Sequence, residues 1–548
     1  MTTTETTDAA PRQPEVATPG RALDVAVSVA PYVLIWSVLL VPTIRTMVRG
    51  WRPIADDAKI AIPAWNTLSL HPALVGASTG ATGTSGLQTT ANPGPLQLWL
   101  LGPFEHLDPG QGALLGAALL CAAALTFGVY VLQRTAGSWA AVVFSLVVAD
   151  LAIFSVTPFA DPLWNASFAS LWFLSFLAVA FAVGLGNLRY LPFLVFIGSV
   201  TVDAHLSFLP STALAFVAAV VCGLLVRRPD NYRWLWWSIG VTVVCWIAPL
   251  GQQLFGSQPN GTQLLRSFGF GSGQATKTFG SVLGFHALSR AASPSAVWAT
   301  PRPNSPLDAY NDIVQNGNLL YCAVLVVLVA VVILAWRHKR TSLFSLSAIT
   351  TAASIGLIAL YARVPSNYIL SFIWINFVVW TVGICIWITL GLAVVTWART
   401  NLRNPTKVHI SKGAVQIAAL IAMGVAAIVA TVVVAFPYGN RGNLLDFVAM
   451  KRVQQMATIV EQEVPQGQVG LGVRYSGDNF FQPAGDERGV AYLLWTDGWI
   501  PGLPSSVSGL LNLPIHPDSP FVVFDERGEQ LVGYQRYDHY QKNWLYGG

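Results

Sequence analysis

Val25 to Ile44 reads VAVSVAPYVLIWSVLLVPTI, twenty residues without a charge. At a helical rise of about 1.5 Å per residue this run matches the roughly 30 Å hydrocarbon core of a bilayer. Ten further apolar runs follow: Ala113–Leu132, Trp139–Val156, Ala169–Leu185, Leu191–Val202, Leu209–Val226, Trp234–Leu250, Leu319–Trp336, Leu343–Tyr361, Ile369–Trp397 and Val415–Phe436. The polar break Asp203-Ala204-His205 divides the fourth of these from the fifth. Hydrophobic residues make up 53% of the 548 and charged residues 10%, against about a quarter in a soluble domain. The chain is predicted to be an α-helical polytopic membrane protein with about eleven transmembrane helices.

Orientation follows from Lys and Arg in the short connections, because positive residues resist translocation. Arg134, Arg189, the group Arg227, Arg228 and Arg233, the run Arg337-His338-Lys339-Arg340, and Arg399, Arg403, Lys407 and Lys412 fall in alternate loops. That side is predicted to be cytoplasmic, although Arg45, Arg49 and Arg52 just after the first span oppose the assignment. The N-terminus is then inside a multi-pass plasma-membrane protein. The outer face receives loops 51–112 and 251–318 and everything after Phe436. A net charge of +5, spread over short clusters, gives no reason to expect nucleic acid. Five cysteines, all inside apolar runs, argue against a disulfide framework or a cysteine metal site.

Three regions result. Residues 1–22 are rich in Thr, Pro, Ala and Glu and read as a disordered cytoplasmic tail. Residues 23–436 form the membrane module. Residues 437–548 have the composition of a soluble domain, with Leu445, Ala449, Val453, Met456, Val460 and Val464 on one face of an amphipathic helix. Strand-like runs at Val469–Tyr475 and Phe521–Phe524 make this a small α/β or α+β extracytoplasmic domain.

The chemistry is expected to centre on the first outer loop, which opens Ile54-Ala55-Asp56-Asp57-Ala58-Lys59-Ile60 and closes on Asn92-Pro93-Gly94-Pro95-Leu96. On a helix, adjacent carboxylates point about 100° apart, so one can face a cavity while the other binds Lys59 or a cation. A carboxylate shielded from water has a raised pKa and can act as a base toward a hydroxyl. Asp150, Asp161, Asp203 and His205 are expected near the same face, where ionisable groups are costly in or beside a membrane. Asp150 and His205 serve equally well as helix–helix hydrogen-bonding groups. A divalent cation on these acids has no spacing motif behind it. The large outer loop 251–318 adds Gln252, Gln253, Asn260, Arg266, Lys277, His286 and Arg290, and Arg266, closest to a span, suits a phosphate.

This arrangement resembles the GT-C glycosyltransferases. It combines a single span, a long loop from an Asp pair to Asn92-Pro93-Gly94-Pro95-Leu96, a short loop with Asp161 and Trp164-Asn165, and a broken span with His205. The likeness is to actinobacterial members related to the protein mannosyltransferase and arabinofuranosyltransferase groups, over roughly the first 270 residues. It implies transfer of a sugar, with inversion, from a polyprenyl-phosphate donor to a cell-envelope glycan, lipid or protein acceptor outside the membrane. On this resemblance Asp57 or Asp56 is the catalytic acid of the first loop. Asp161 is then the second-loop acid and Arg266 the phosphate contact, with His205, Asn92 and Gln252 completing the substrate site. No cofactor is implied with certainty, and a divalent cation stays open. Two other readings fit the same residues: a transporter or flippase of a lipid-linked or small polar solute, and a non-catalytic membrane subunit.

Overall fold

The computed structural model describes residues 19–536 apart from 71, 83–88, 228–231, 257–258, 268–276, 296–305, 365–371, 402–410, 437–446, 465, 474–480, 503–519 and 525–529. Most of the predicted N-terminal tail, and Leu445, Arg228, Arg403 and Lys407, lie outside the described residues.

The chain begins with membrane helix α1 (Pro19–Val48). The connection after it forms α2 (Ala55–Trp65), a hairpin of β1 (Ser78–Thr82) and β2 (Thr89–Ala91), and α3 (Leu96–Leu107). Next come α4 (Gly112–Ala136), α5 (Ser138–Phe154), the single turn α6 (Thr157–Ala160), α7 (Asn165–Gly184), α8 (Leu191–Ala204), α9 (Leu209–Val226) and α10 (Arg233–Phe255). A second long connection holds α11 (Asn260–Ser267), α12 (Ser281–Ala292) and α13 (Pro306–Asn316). Then come α14 (Ala323–Arg337), α15 (Thr341–Arg363), α16 (Phe372–Asn401) and α17 (Lys412–Ala435).

Each of the eleven apolar runs is helical over most of its described residues. Among the described residues nine helices are long and apolar enough to cross a membrane, and this is a multi-pass membrane protein. The two outside this set are α5, with 17 residues, and α8, with 14, while α14 reaches span length with the 3-10 turn Leu319–Cys322 before it. At 1.5 Å per residue α8 is only about 21 Å long, less than a bilayer core. The chain therefore breaks at Asp203–His205 before it would clear the membrane. Burial separates the bundle's centre from its rim: 89% of the apolar window in α7 is buried by protein, against 17% in α10 and in α14. Helix α7 packs on α4, α8, α9, α15 and α16, whereas the outer surfaces of α10 and α14 are exposed Val, Leu, Ile and Trp suited to lipid.

The C-terminal domain contains α18 (Phe447–Glu463), β3 (Gln468–Val473), α19 (Phe481–Thr496), β4 (Ile500–Gly502), β5 (Pro520–Phe524) and β6 (Gln530–Arg536). Its sheet has the order β4-β3-β5-β6, with β3 parallel to both neighbours and β6 antiparallel to β5. Helix α18 buries Ala449, Val453, Met456 and Val460, the face its 3.6-residue period marks out. Helix α19 bridges β3 to β4 and also packs against α2 of the first loop. Gly489 allows that approach, since a Cβ there would stand 2.9 Å from Val453 and 3.0 Å from Ile54.

Candidate functional site

The site is built around the start of α2. Ile54 is extended, and Ala55 takes the left-handed conformation at φ +51, which costs an alanine about 1 kcal/mol. This turn places Asp56 and Asp57 in the first helical turn, where the helix dipole favours negative charge. Their surroundings then diverge.

Asp56 is half exposed and pairs with Lys59 one turn along the same helix. The guanidinium of Arg488, on α19, stands 3.8 Å away, and the Trp164 indole N–H donates to its Oδ2 at 3.3 Å. Burial would raise its pKa, but Lys59, Arg488 and the indole N–H together outweigh this and hold it below the usual carboxylate value. Asp57 is buried, at 7% exposure. Burial, then the charges of Asp161 and Asp56, push its pKa well up.

Asp161 sits between α6 and α7, its carboxylate accepting the Trp164 N–H at 3.3 Å in a local turn. Burial raises it to about 7 against the lowering effect of the Trp164 and Leu163 N–H groups, with Asp56 adding to the rise. Gln97 on α3 ties this loop to the first by donating to the Leu163 carbonyl at 2.9 Å. Asp57 and Asp161 are thus both buried carboxyls of raised pKa, and the charge of Asp161 is felt at Asp57.

His205 lies close enough to feel the charge of Asp56. Its Nδ1 lies 2.7 Å from the Ser207 hydroxyl and 3.3 Å from the Ser207 N–H. The break it occupies is clamped by the first loop. Asn92, fully buried, accepts the Leu206 N–H at 3.1 Å and donates to the Ala77 carbonyl at 3.0 Å. Gly94 lies against Asp203, where a Cβ would come within 2.2 Å of the carboxylate. Among the described residues neither Asp203 oxygen has a hydrogen-bond partner, nor has Asp150 Oδ2 on α5.

Sequence reasoning placed seven residues in the site, and the structure divides them. Asp56, Asp57, Asp161 and His205 come together. Asn92 spends its amide on main-chain partners and frames the break. Helix α10 runs on to Phe255, so Gln252 lies on its last turn and accepts the Asn260 N–H at 3.0 Å; Asn260 in turn brackets Ala91, binding both its N–H and its carbonyl. Arg266, in the last turn of α11, has an exposed side chain, and among the described residues no ion pair joins it to the carboxylates. Arg488, Glu105 and Tyr492 were not foreseen. Glu105 is buried on α3, accepts the Ala113 N–H at 2.8 Å and receives the Tyr492 hydroxyl hydrogen bond. Among the described residues no group of three or more His, Cys, Asp and Glu is arranged to hold a metal ion.

The sequence matches no family model and no curated relative. Two solved structures are similar over nearly the whole chain. One is ArnT from Cupriavidus metallidurans bound to undecaprenyl phosphate, 13% identical with a TM-score of 0.47, covering 97% of this chain and 95% of that one. The other is ArnT from the same organism in the apo state, also 13% identical with a TM-score of 0.47, covering 95% and 94%. At that distance the roles of residues rest on this chain's own geometry.

Proposed function

We propose that this chain is a membrane glycosyltransferase of the GT-C type, which takes a sugar from a polyprenyl-phosphate carrier and passes it to a cell-envelope acceptor on the outer face. The observation that carries the reading is the divided setting of the Asp pair. One carboxylate is held ionised by cations, and the next is buried against Asp161 and made more basic. A base of raised pKa, positioned outside the membrane helices, suits proton removal from a sugar hydroxyl.

In the transfer the acceptor oxygen bonds to the anomeric carbon while Asp57 takes the hydroxyl proton. The bond from that carbon to the phosphate oxygen breaks, and its electron pair leaves on the phosphate. Attack opposite the leaving group inverts the anomeric centre. The Asp57–Asp161 pair can hold the proton until it escapes to water, so no further reactant is needed. The distribution of Lys and Arg supports an N-terminus in the cytoplasm and this site, with the C-terminal domain, outside.

The test supplies purified protein in proteoliposomes with a panel of labelled polyprenyl-phosphate sugars and an envelope extract. Label should appear in the extract as polyprenyl phosphate is released. Movement of the intact lipid between leaflets with no sugar released would remove this reading and favour a flippase.

A further inference from the structure

Helix α3 is held at both ends. At its start the Asn92-Pro93-Gly94-Pro95 turn lies on the break at Asp203–His205, and Gln97 donates to Leu163 in the loop of Asp161. In its middle Gly102 brings it against the end of α2, where a Cβ would stand 2.9 Å from Thr67 and 3.0 Å from the Ala64 carbonyl. At its end the buried Glu105 accepts the Ala113 N–H at 2.8 Å and also the Gly110 N–H. A carboxylate there satisfies orphan donors at the start of membrane helix α4. Gln111, at the N-cap itself, gives its amide to the Met47 carbonyl at 3.2 Å.

The other oxygen of Glu105 belongs to the C-terminal domain. It receives the hydroxyl of the buried Tyr492 on α19. Gly489, three residues earlier and so on the same face of α19, is where that helix meets Ile54 at the start of α2. Helix α19 therefore spans the first loop, from the end of α3 to a point two residues before the Asp pair. The domain's core fixes α19 in turn, because the buried Asp486 is held by Arg452 of α18 at 2.6 and 2.9 Å. Arg52, one of the cations that oppose the predicted orientation, would stand 3.6 Å from a Cβ at Gly110, and its charge reaches Tyr492.

We infer that Glu105 and Tyr492 are positioning residues, a latch through which the C-terminal domain holds α3 and α2 in the arrangement that encloses Asp57. This deepens the glycosyltransferase reading and rests on it. Among the described residues neither is bonded to the acids of the site. They act by setting where the base stands, and misplacing a reacting group by about 1 Å can cost on the order of 10²-fold in rate. A bond that only stabilised the fold would leave the chemistry of the folded protein unchanged.

The test uses the full chain in proteoliposomes with the labelled polyprenyl-phosphate sugar on which the wild-type protein is most active. It measures kcat, donor KM and their pH dependence below the melting temperature of every variant. Tyr492→Phe keeps the ring and loses the hydroxyl. It should lower kcat by about 10-fold, change donor KM by less than about twofold, and move the acid limb to lower pH as Asp57 becomes less enclosed. The charged and titratable groups around the Asp pair are unaltered: Lys59 on α2, Arg488 on α19, Asp161 before α7 and His205 at the break. Glu105→Gln should behave alike, and the double variant should lose no more than the worse single one, because the pair acts as a unit. If Glu105→Gln does not fold, Tyr492→Phe decides alone. An acid limb that stays in place in Tyr492→Phe overturns the assignment whether or not the melting temperature falls, because the bond is then structural only. Losses that multiply in the double variant overturn it too. Wild-type protein without transfer removes the glycosyltransferase reading itself, and the assignment with it.

Discussion

The half of the site that the C-terminal domain completes and the half that the short loop before α7 completes meet at adjacent residues of one helix, yet they impose opposite conditions. Asp56 is half open and surrounded by Lys59, Arg488 and an indole N–H. Asp57 is enclosed, and its electrostatic neighbours are Asp161 and Asp56. The 100° between successive helical positions is what makes the division available. An ionised carboxylate ringed by cations is suited to ordering an anionic donor. A buried one of raised pKa is suited to taking a proton. Two identical side chains acquire two jobs from where they point.

Replacing Asp57 by Asn is expected to have the largest effect, because it removes the base and keeps the shape. Transfer should fall by about 10²- to 10⁴-fold, while binding of a polyprenyl monophosphate persists. Asp56→Asn should cost less in turnover, because Lys59 and Arg488 remain in place and only the carboxylate that orders them is lost. If the two variants lose turnover equally, with donor binding intact in both, the division is wrong.

A pH profile sharpens the same contrast. Asp57 must be deprotonated to act, and its raised pKa places the acid limb of the rate above the ordinary carboxylate range. Asp161→Asn removes a negative neighbour, so the limb should move to lower pH. It should not return fully, because burial is the largest cause of the rise. Stability carries the same sign. A carboxyl raised in the folded state binds its proton more tightly there, so its contribution is complete at low pH and is lost as pH rises through the folded pKa. Asp161→Asn, which removes a group raised to about 7, should therefore raise the melting temperature at pH 8 and leave it nearly unmoved at pH 4. A limb that stays in place would show that Asp57 does not govern the rate.

Much of this was legible in the sequence, and for stated reasons. Apolar runs in lipid must satisfy their backbone internally, so the long ones were readable as helices, and nine helices among the described residues have the length and composition to span. The break at Asp203–His205 was visible because charges interrupt an apolar run, and the Asp pair because it stands directly outside a span. Arg488 gave no such signal. It is one of eight Lys and Arg residues in 437–548, and its place beside Asp56 comes from α19 docking on α2, a contact between segments hundreds of residues apart. Tyr492 and Glu105, separated by 387 positions, were invisible for the same reason. Arg266 was favoured because it is near a span in sequence. In space α11 packs through Asn260 onto β2, and among the described residues no ion pair joins Arg266 to the acids.

The smallest expected effect tests whether Trp164 belongs to the Asp56 half or to the reacting centre. Its indole N–H reaches Asp56 at 3.3 Å, longer than the 2.7–2.9 Å of a strong charge-assisted bond, and the carboxylate already has Lys59 and Arg488. Its ring packs edge-on against Trp374 and Phe377, with centroids 6.0 and 5.9 Å away. Trp164→Phe would keep an aromatic ring for those contacts and lose only the N–H. A bond of that length contributes about 1 kcal/mol, so kcat/KM should fall by roughly fivefold. The loss should lie mainly in donor affinity, because Asp56 is assigned to the donor and Asp57 to the proton. A fall as large as that of Asp57→Asn, with donor affinity intact, would mean that the indole acts on the sugar in the transition state. The line between the two halves would then run through the second loop instead of between the two aspartates.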